Sequence, residues 1–203
     1  MKIQVVIGST RAGRVGPRIG KWVETAVNQI DGFEAEIIDL AEFNIPFFDE
    51  PISPRYNPAR EIDSEAKRFM DKLAEGDGYV FVTPEYNHSI TGALKNALDY
   101  LDSQLSRKVS AIVSYGSVGG ARAAEHLKGI LLEAGTGVVP QAVAILGSPA
   151  ELFDEGGVLN AKIATNPYGP AGALNTTLTE LAWWTQATVA AHDPALAGAI
   201  LAT

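Results

Sequence analysis

Short runs of apolar, mostly β-branched residues alternate along the chain with longer segments whose apolar positions recur at helical spacing. Five runs have the length and continuity of strands buried on both faces: Ile3–Ile7, Glu36–Leu40, Tyr79–Thr83, Val109–Ser114 and Val138–Leu146. Between them, Val15–Ile30 sets Ile19, Trp22, Val23, Ala26, Val27 and Ile30 on one stripe. Ala59–Ala74 does the same with Ile62, Ala66, Phe69, Met70 and Leu73, and Ile90–Leu101, Ala121–Glu133 and Ala173–Ala191 complete five helices. This alternation predicts an α/β fold: a five-stranded parallel sheet, doubly wound, with right-handed crossovers placing helices on both faces. The expected strand order is 2-1-3-4-5.

No linker, repeat or low-complexity tract divides the sequence, so residues 1–192 read as one domain and 193–203 as an apolar tail. Two long loops interrupt the alternation. Glu42–Pro58 carries four prolines and the aromatics Phe43, Phe47, Phe48 and Tyr56, while Gly147–Gly172 is rich in Gly, Pro and Asn. Loops of this length in a compact domain are more often functional than accidental.

The formal net charge of −8 argues against broad nucleic-acid binding, which needs a basic surface, but leaves room for one small anion in a local pocket. With no cysteine, disulfides, thiol catalysis and iron–sulfur clusters are excluded. His88, His126 and His192 lack metal-ligand spacing, so no metal site is expected. The apolar start is too short for a signal peptide, and nothing approaches the roughly 20 apolar residues of a membrane span. A soluble cytoplasmic protein is the expectation.

Candidate chemistry concentrates in three loops that follow strands one, three and four. The first reads GSTRAGRVG from Gly8 to Gly16 and leads into a helix, where a doubly wound fold binds phosphate through loop amides and the helix dipole. Ser9 and Thr10 add hydroxyl donors; Arg11 and Arg14 add charged ones. Arg14 and Val15 stand where a Walker motif requires Lys and Ser/Thr, and GxGxxG is absent, so a phosphate held without magnesium fits best. The third-strand loop, TPEYNHSITG from Thr83, has Pro84 stiffening the turn and leaves backbone groups at Glu85–Asn87 for the polar edge of a flat ring. Tyr86 can flank such a ring and Asn87 can hydrogen-bond it. Ser89 reads as a helix cap, Lys95 and Asp99 as a solvated helical pair, and His88 as an exposed loop residue. The fourth-strand loop, SYGSVGGA from Ser114, permits close backbone approach.

Together GSTRAGRVG, PEYNHSITGALKNALDYL and SYGSVGGARAAEHLK resemble the NADPH-dependent FMN reductase family, in order and spacing over roughly residues 1–150. The resemblance implies a flavodoxin-like fold, non-covalent FMN, NADPH (or NADH) as donor, and a homodimer or homotetramer. Carried over by position, Ser9, Arg11 and the turn of Arg14, Gly16 and Pro17 hold the phosphate. Pro84, Glu85, Tyr86 and Asn87 border the isoalloxazine, and Ser114, Tyr115, Gly116, Gly119 and Gly120 close its other side. Many relatives place a serine late in the first loop, where this chain has Gly16 and then Pro17. The implied activity is hydride transfer from NAD(P)H to FMN and on to a small acceptor: a quinone, azo compound, metal ion or free flavin. No side chain announces itself as an essential acid or base. The alternative is a flavodoxin-type electron carrier that never meets nicotinamide.

Overall fold

In a computed structural model, which describes residues 1–192, four strands build the parallel sheet: β1 (Lys2–Ile7), β2 (Glu34–Asp39), β3 (Gly78–Pro84) and β4 (Val109–Gly116). Their order is β2-β1-β3-β4, and the fifth place beside β4 is shared by β5 (Gly137–Val138) and β6 (Val143–Leu146). The expected order 2-1-3-4-5 is therefore found. The single strand expected over Val138–Leu146 is broken in two. Three steps along β4, Ser110 to Val113, face five on the outer strand, Val138 to Val143. The break contains Pro140, which cannot donate to the ladder and sits where the strand bulges.

The helices are α1 (Gly16–Val27), α2 (Ser64–Ala74), α3 (Gly92–Asp99), α4 (Ala121–Glu133), the short α5 (Pro149–Leu152) and α6 (Ala161–Ala164), and α7 (Pro170–Ala191). α5 and α6 lie inside the Gly147–Gly172 segment read as loop. α2 begins later than its apolar stripe suggests because the Asp63 carboxylate accepts the amides of Glu65 and Ala66 and sets the start. The tail read at 193–203 lies outside the described residues. Among the described residues no helix is long and apolar enough to cross a membrane.

Alternation along the strands makes two cores. Tyr79 and Phe81 of β3 face Phe69 and Leu73 of α2, Leu94 of α3 and Leu127 of α4. Val80 and Val82 face the other way, toward Ile19 and Val23 of α1 and Leu174 and Leu178 of α7. Each fully buried side chain of this kind contributes about 1.5–3 kcal/mol. From β1 the chain runs outward to β2, whereas β3 lies on the opposite side of β1. Loops after β1 and β3 thus part at a switch point, where doubly wound sheets bind ligands at the carboxyl ends of the strands.

Candidate functional site

The three glycine-bearing loops meet at that edge and are fastened to one another. The amide of Gly8 donates to Val82 O at 2.9 Å, and the hydroxyl of Thr91, which caps α3, donates to Gly8 O. Ser9 is fully buried, and the Tyr115 hydroxyl from the end of β4 donates to Ser9 Oγ at 3.3 Å. Burial pushes the Tyr115 phenol up to about 12, so it stays a neutral donor at physiological pH. At Gly16 a Cβ would fall 2.6 Å from Ser9 Oγ and 3.1 Å from the Tyr115 hydroxyl oxygen. A serine there has no room in this chain.

The helix ends differ in a telling way. First-turn amides of α2, α3 and α4 are taken by Asp63, Thr91 and Glu85 respectively, whereas α1 has no side-chain cap. Pro17 in its first turn has no amide to satisfy. Thr10, Arg11 and Gly13 of the preceding loop are exposed. Arg11 places its guanidinium carbon 5.3 Å from the centroid of the Tyr86 ring, a cation–π contact between the first and third loops. Arg14 instead forms a bidentate pair with Asp39, 2.6 and 2.7 Å, and donates to Ser9 O at 2.8 Å.

The third loop corrects the expectation of free backbone over Glu85–Asn87. The Glu85 amide donates to Tyr115 O at 3.1 Å, and Tyr86 and Ser89 exchange two bonds of 2.9 and 3.0 Å. The turn between them has Asn87 at φ 50° and His88 at φ 68°, the signature of a tight I′ turn. Only at its tip, Asn87 and His88, do amides lack a protein acceptor among the described residues. Both tip residues are exposed. Ser89 does not cap α3; its hydroxyl meets His126 Nδ1 at 2.7 Å, and Thr91 takes the capping role. Lys95 and Asp99 form the expected helical pair at 2.6 Å.

Glu85 faces the fourth loop rather than open solvent. Its carboxylate accepts the Arg122 Nε at 2.6 Å and the Arg122 amide at 3.1 Å, so it closes the N-terminus of α4. The Arg122 side chain holds the Glu85 carboxyl below its ordinary value of 4.5. A depressed carboxyl contributes stability that is present above the ordinary value and lost as pH falls through the folded one. We expect Glu85→Gln to lower the melting temperature at pH 7, with the difference from wild type fading toward pH 3. An equal difference at both pH values would contradict this. In the fourth loop, Ser114 Oγ donates to Gly119 O at 2.8 Å and Gly119 N to Gly116 O at 2.9 Å. Gly116, Gly119 and Gly120 have φ of 147°, 72° and 72°.

The long Glu42–Pro58 loop borders the first loop across a cavity of about 270 Å³ lined by Thr10, Leu40, Phe43, Asn44, Ala93 and Asn96. Asn96 fixes it from α3, donating to Pro46 O at 2.7 Å and accepting the Phe48 amide at 2.9 Å. Asp39, Thr91, Asn96 and Arg122 escaped the sequence reading, because each is defined by a partner distant along the chain. Thr91 alone carried a local signal: a hydroxyl residue immediately before Gly92–Asp99.

Comparison with known proteins agrees with the geometry. The model of the NADPH-dependent FMN reductase family matches residues 1–150. An NAD(P)H-dependent FMN reductase of Nectria sp is 40% identical over 130 residues, covering 62% of this chain and 65% of that protein. The match thus spans a little under two thirds of that relative's length. A quinone reductase of Pseudomonas putida is 33% identical over 174 residues, 82% of this chain and 87% of that one. Among solved structures, the flavoenzyme NAD(P)H:(acceptor) oxidoreductase FerB of Paracoccus denitrificans shares the fold at a TM-score of 0.69, with 22% identity and coverage of 91% and 97%. On sequence, sheet order and the arrangement of its loops, the chain belongs to the NADPH-dependent FMN reductase family.

Proposed function

We propose that residues 1–192 form one unit that binds FMN at the carboxyl edge of the sheet, takes hydride from NADPH or NADH, and reduces a small acceptor. Quinones, azo compounds, metal ions and free flavin are the acceptors in view. The observation that carries this reading is the convergence of three loops on α1, whose N-terminus no side chain fills. The donors there suit a phosphate monoester: a buried hydroxyl at Ser9, loop amides and the Arg11 guanidinium, with no need for a metal.

In this reading Ser9, Arg11 and the turn through Arg14, Gly16 and Pro17 form the phosphate end. Pro84, Glu85, Tyr86 and Asn87 border one side of the ring, and Ser114, Tyr115, Gly116, Gly119 and Gly120 the other. The bound flavin supplies hydride acceptance and return, and the protein supplies placement and electrostatics. Asn87 and His88 offer neutral amide donors at the rim, a means of stabilising negative charge without proton transfer. Glu85 acts through Arg122, fixing the third loop against the fourth. No side chain is assigned as a general acid or base. The same proposal extends to a cytoplasmic homodimer or homotetramer, supported by the family and by the exposed Trp183–Trp184 pair on α7.

The test is flavin titration. Arg11→Ala is expected to weaken FMN binding about tenfold to a hundredfold, as loss of a charged hydrogen bond of ~1.5–3 kcal/mol requires. Quenching of flavin fluorescence reads it directly, and an unchanged titration removes Arg11 from the phosphate.

A further inference from the structure

Asp39 belongs to none of the three loops. It ends β2, the strand beside β1 on the side away from β3. Yet its two carboxylate oxygens meet the two terminal nitrogens of Arg14 at 2.6 and 2.7 Å. One of those nitrogens also donates to Ser9 O at 2.8 Å, and Asp39 Oδ1 accepts the Ala41 amide at 3.0 Å. The two side chains are 18% and 13% exposed, so the pair is largely withdrawn from water. It is also neutral. An arginine matched in this way brings no net charge to a phosphate, and three of its five N–H groups are already engaged.

The pair instead fixes a peptide plane. In a trans peptide, the carbonyl of one residue and the amide of the next point in opposite directions. Holding Ser9 O against Arg14 therefore turns the Thr10 amide away from the clamp. That amide has no protein acceptor among the described residues, and it follows directly on the buried Ser9 hydroxyl. Resting on the FMN reading above, we propose that Asp39 is a positioning residue of the phosphate site. It holds Arg14, Arg14 holds the Ser9 carbonyl, and the Thr10 amide is thereby presented to the phosphate. Arg14 acts as a brace, and the positive charge beside the phosphate comes from Arg11.

FMN and riboflavin, which differ only by the phosphate, separate this role from general structural support. For Asp39→Asn we expect FMN affinity to fall about fivefold to tenfold, the worth of one amide hydrogen bond, with riboflavin affinity unchanged. Tighter FMN binding would overturn the proposal, because it would mean that Asp39 withholds Arg14 from the phosphate. An equal loss for both flavins, or no loss for either, would overturn it as well. Should the single variant fail to fold, Asp39→Leu with Arg14→Met replaces the pair by apolar groups of similar size. That protein is expected to show the same loss of preference for FMN over riboflavin, and a wild-type preference would contradict the proposal. Wild-type protein that binds neither flavin defeats the FMN reading itself, a different outcome from a variant that keeps its selectivity.

Discussion

Replacing Gly120 by alanine is expected to abolish stable FMN binding and to cost about 2–5 kcal/mol of folding stability. Two effects add. Gly120 sits at φ 72°, where an L side chain is strained by about 1–2 kcal/mol. An added Cβ would also lie 2.7 Å from Tyr115 N, 2.8 Å from Ser114 Cβ and 3.0 Å from Tyr115 O. Two of those atoms are backbone of β4 and cannot swing aside, and overpacking of this kind costs about 1–3 kcal/mol. The damage then spreads along known contacts. Tyr115 O accepts the Glu85 amide and the Tyr115 hydroxyl reaches Ser9, so displacing Tyr115 disturbs the third and first loops together. Urea denaturation and flavin titration of the variant check both parts. Wild-type stability with wild-type FMN affinity would show that the fourth loop tolerates a side chain at its tightest point.

Arg60→Leu is expected to destabilise the protein by about 3–5 kcal/mol, a fall in melting temperature of roughly 6–20 °C. The Arg60 side chain is 3% exposed and lies between two acids: Glu50 at 2.8 Å from Nε and Asp102 at 3.2 Å from Nη1. It also donates to Tyr100 O at 2.7 Å. Those contacts tie the proline-rich loop to the end of α3. Removing the cation leaves two poorly solvated carboxylates without their counter-charge, and that penalty exceeds the worth of the lost bonds. Thermal unfolding tests the size of the effect. Its cause is tested by Glu50→Leu and Asp102→Leu added to Arg60→Leu, which should recover most of the loss. If the triple variant is no better than the single one, packing rather than charge accounts for Arg60.

The fold was legible where a single segment carries its own pattern. Buried parallel strands are short continuous apolar runs, and α1 and α2 show clean stripes, so a parallel sheet covered on both faces followed from alternation, and the order from matching five strands and five helices to the flavodoxin-like sheet. The outer strand failed because its apolar run hides the consequence of Pro140, which only the ladder to β4 exposes. The loops of the site were legible through glycine, proline and hydroxyl residues set between a strand and a helix. Their partners were not. Arg14 and Asp39 are 25 residues apart, and Glu85 and Arg122 are 37 apart. Neither pair leaves a periodic trace, because each depends on which strand ends lie side by side. Thus Arg14 could be recognised as a loop cation but not as one already matched by an acid. Likewise Glu85–Asn87 could be recognised as a turn, though the bonds that engage the Glu85 and Tyr86 amides, to Tyr115 O and Ser89 O, could not.

The central claim is that three converging loops hold an FMN that NAD(P)H reduces. It is tested most directly by an anaerobic visible spectrum of protein reconstituted with FMN and desalted, before and after NADPH is added. The account predicts a flavin spectrum that survives desalting and bleaches promptly with NADPH. Flavin that stays bound but oxidised with both NADPH and NADH would contradict it, and would assign the acidic chain to electron carriage between proteins.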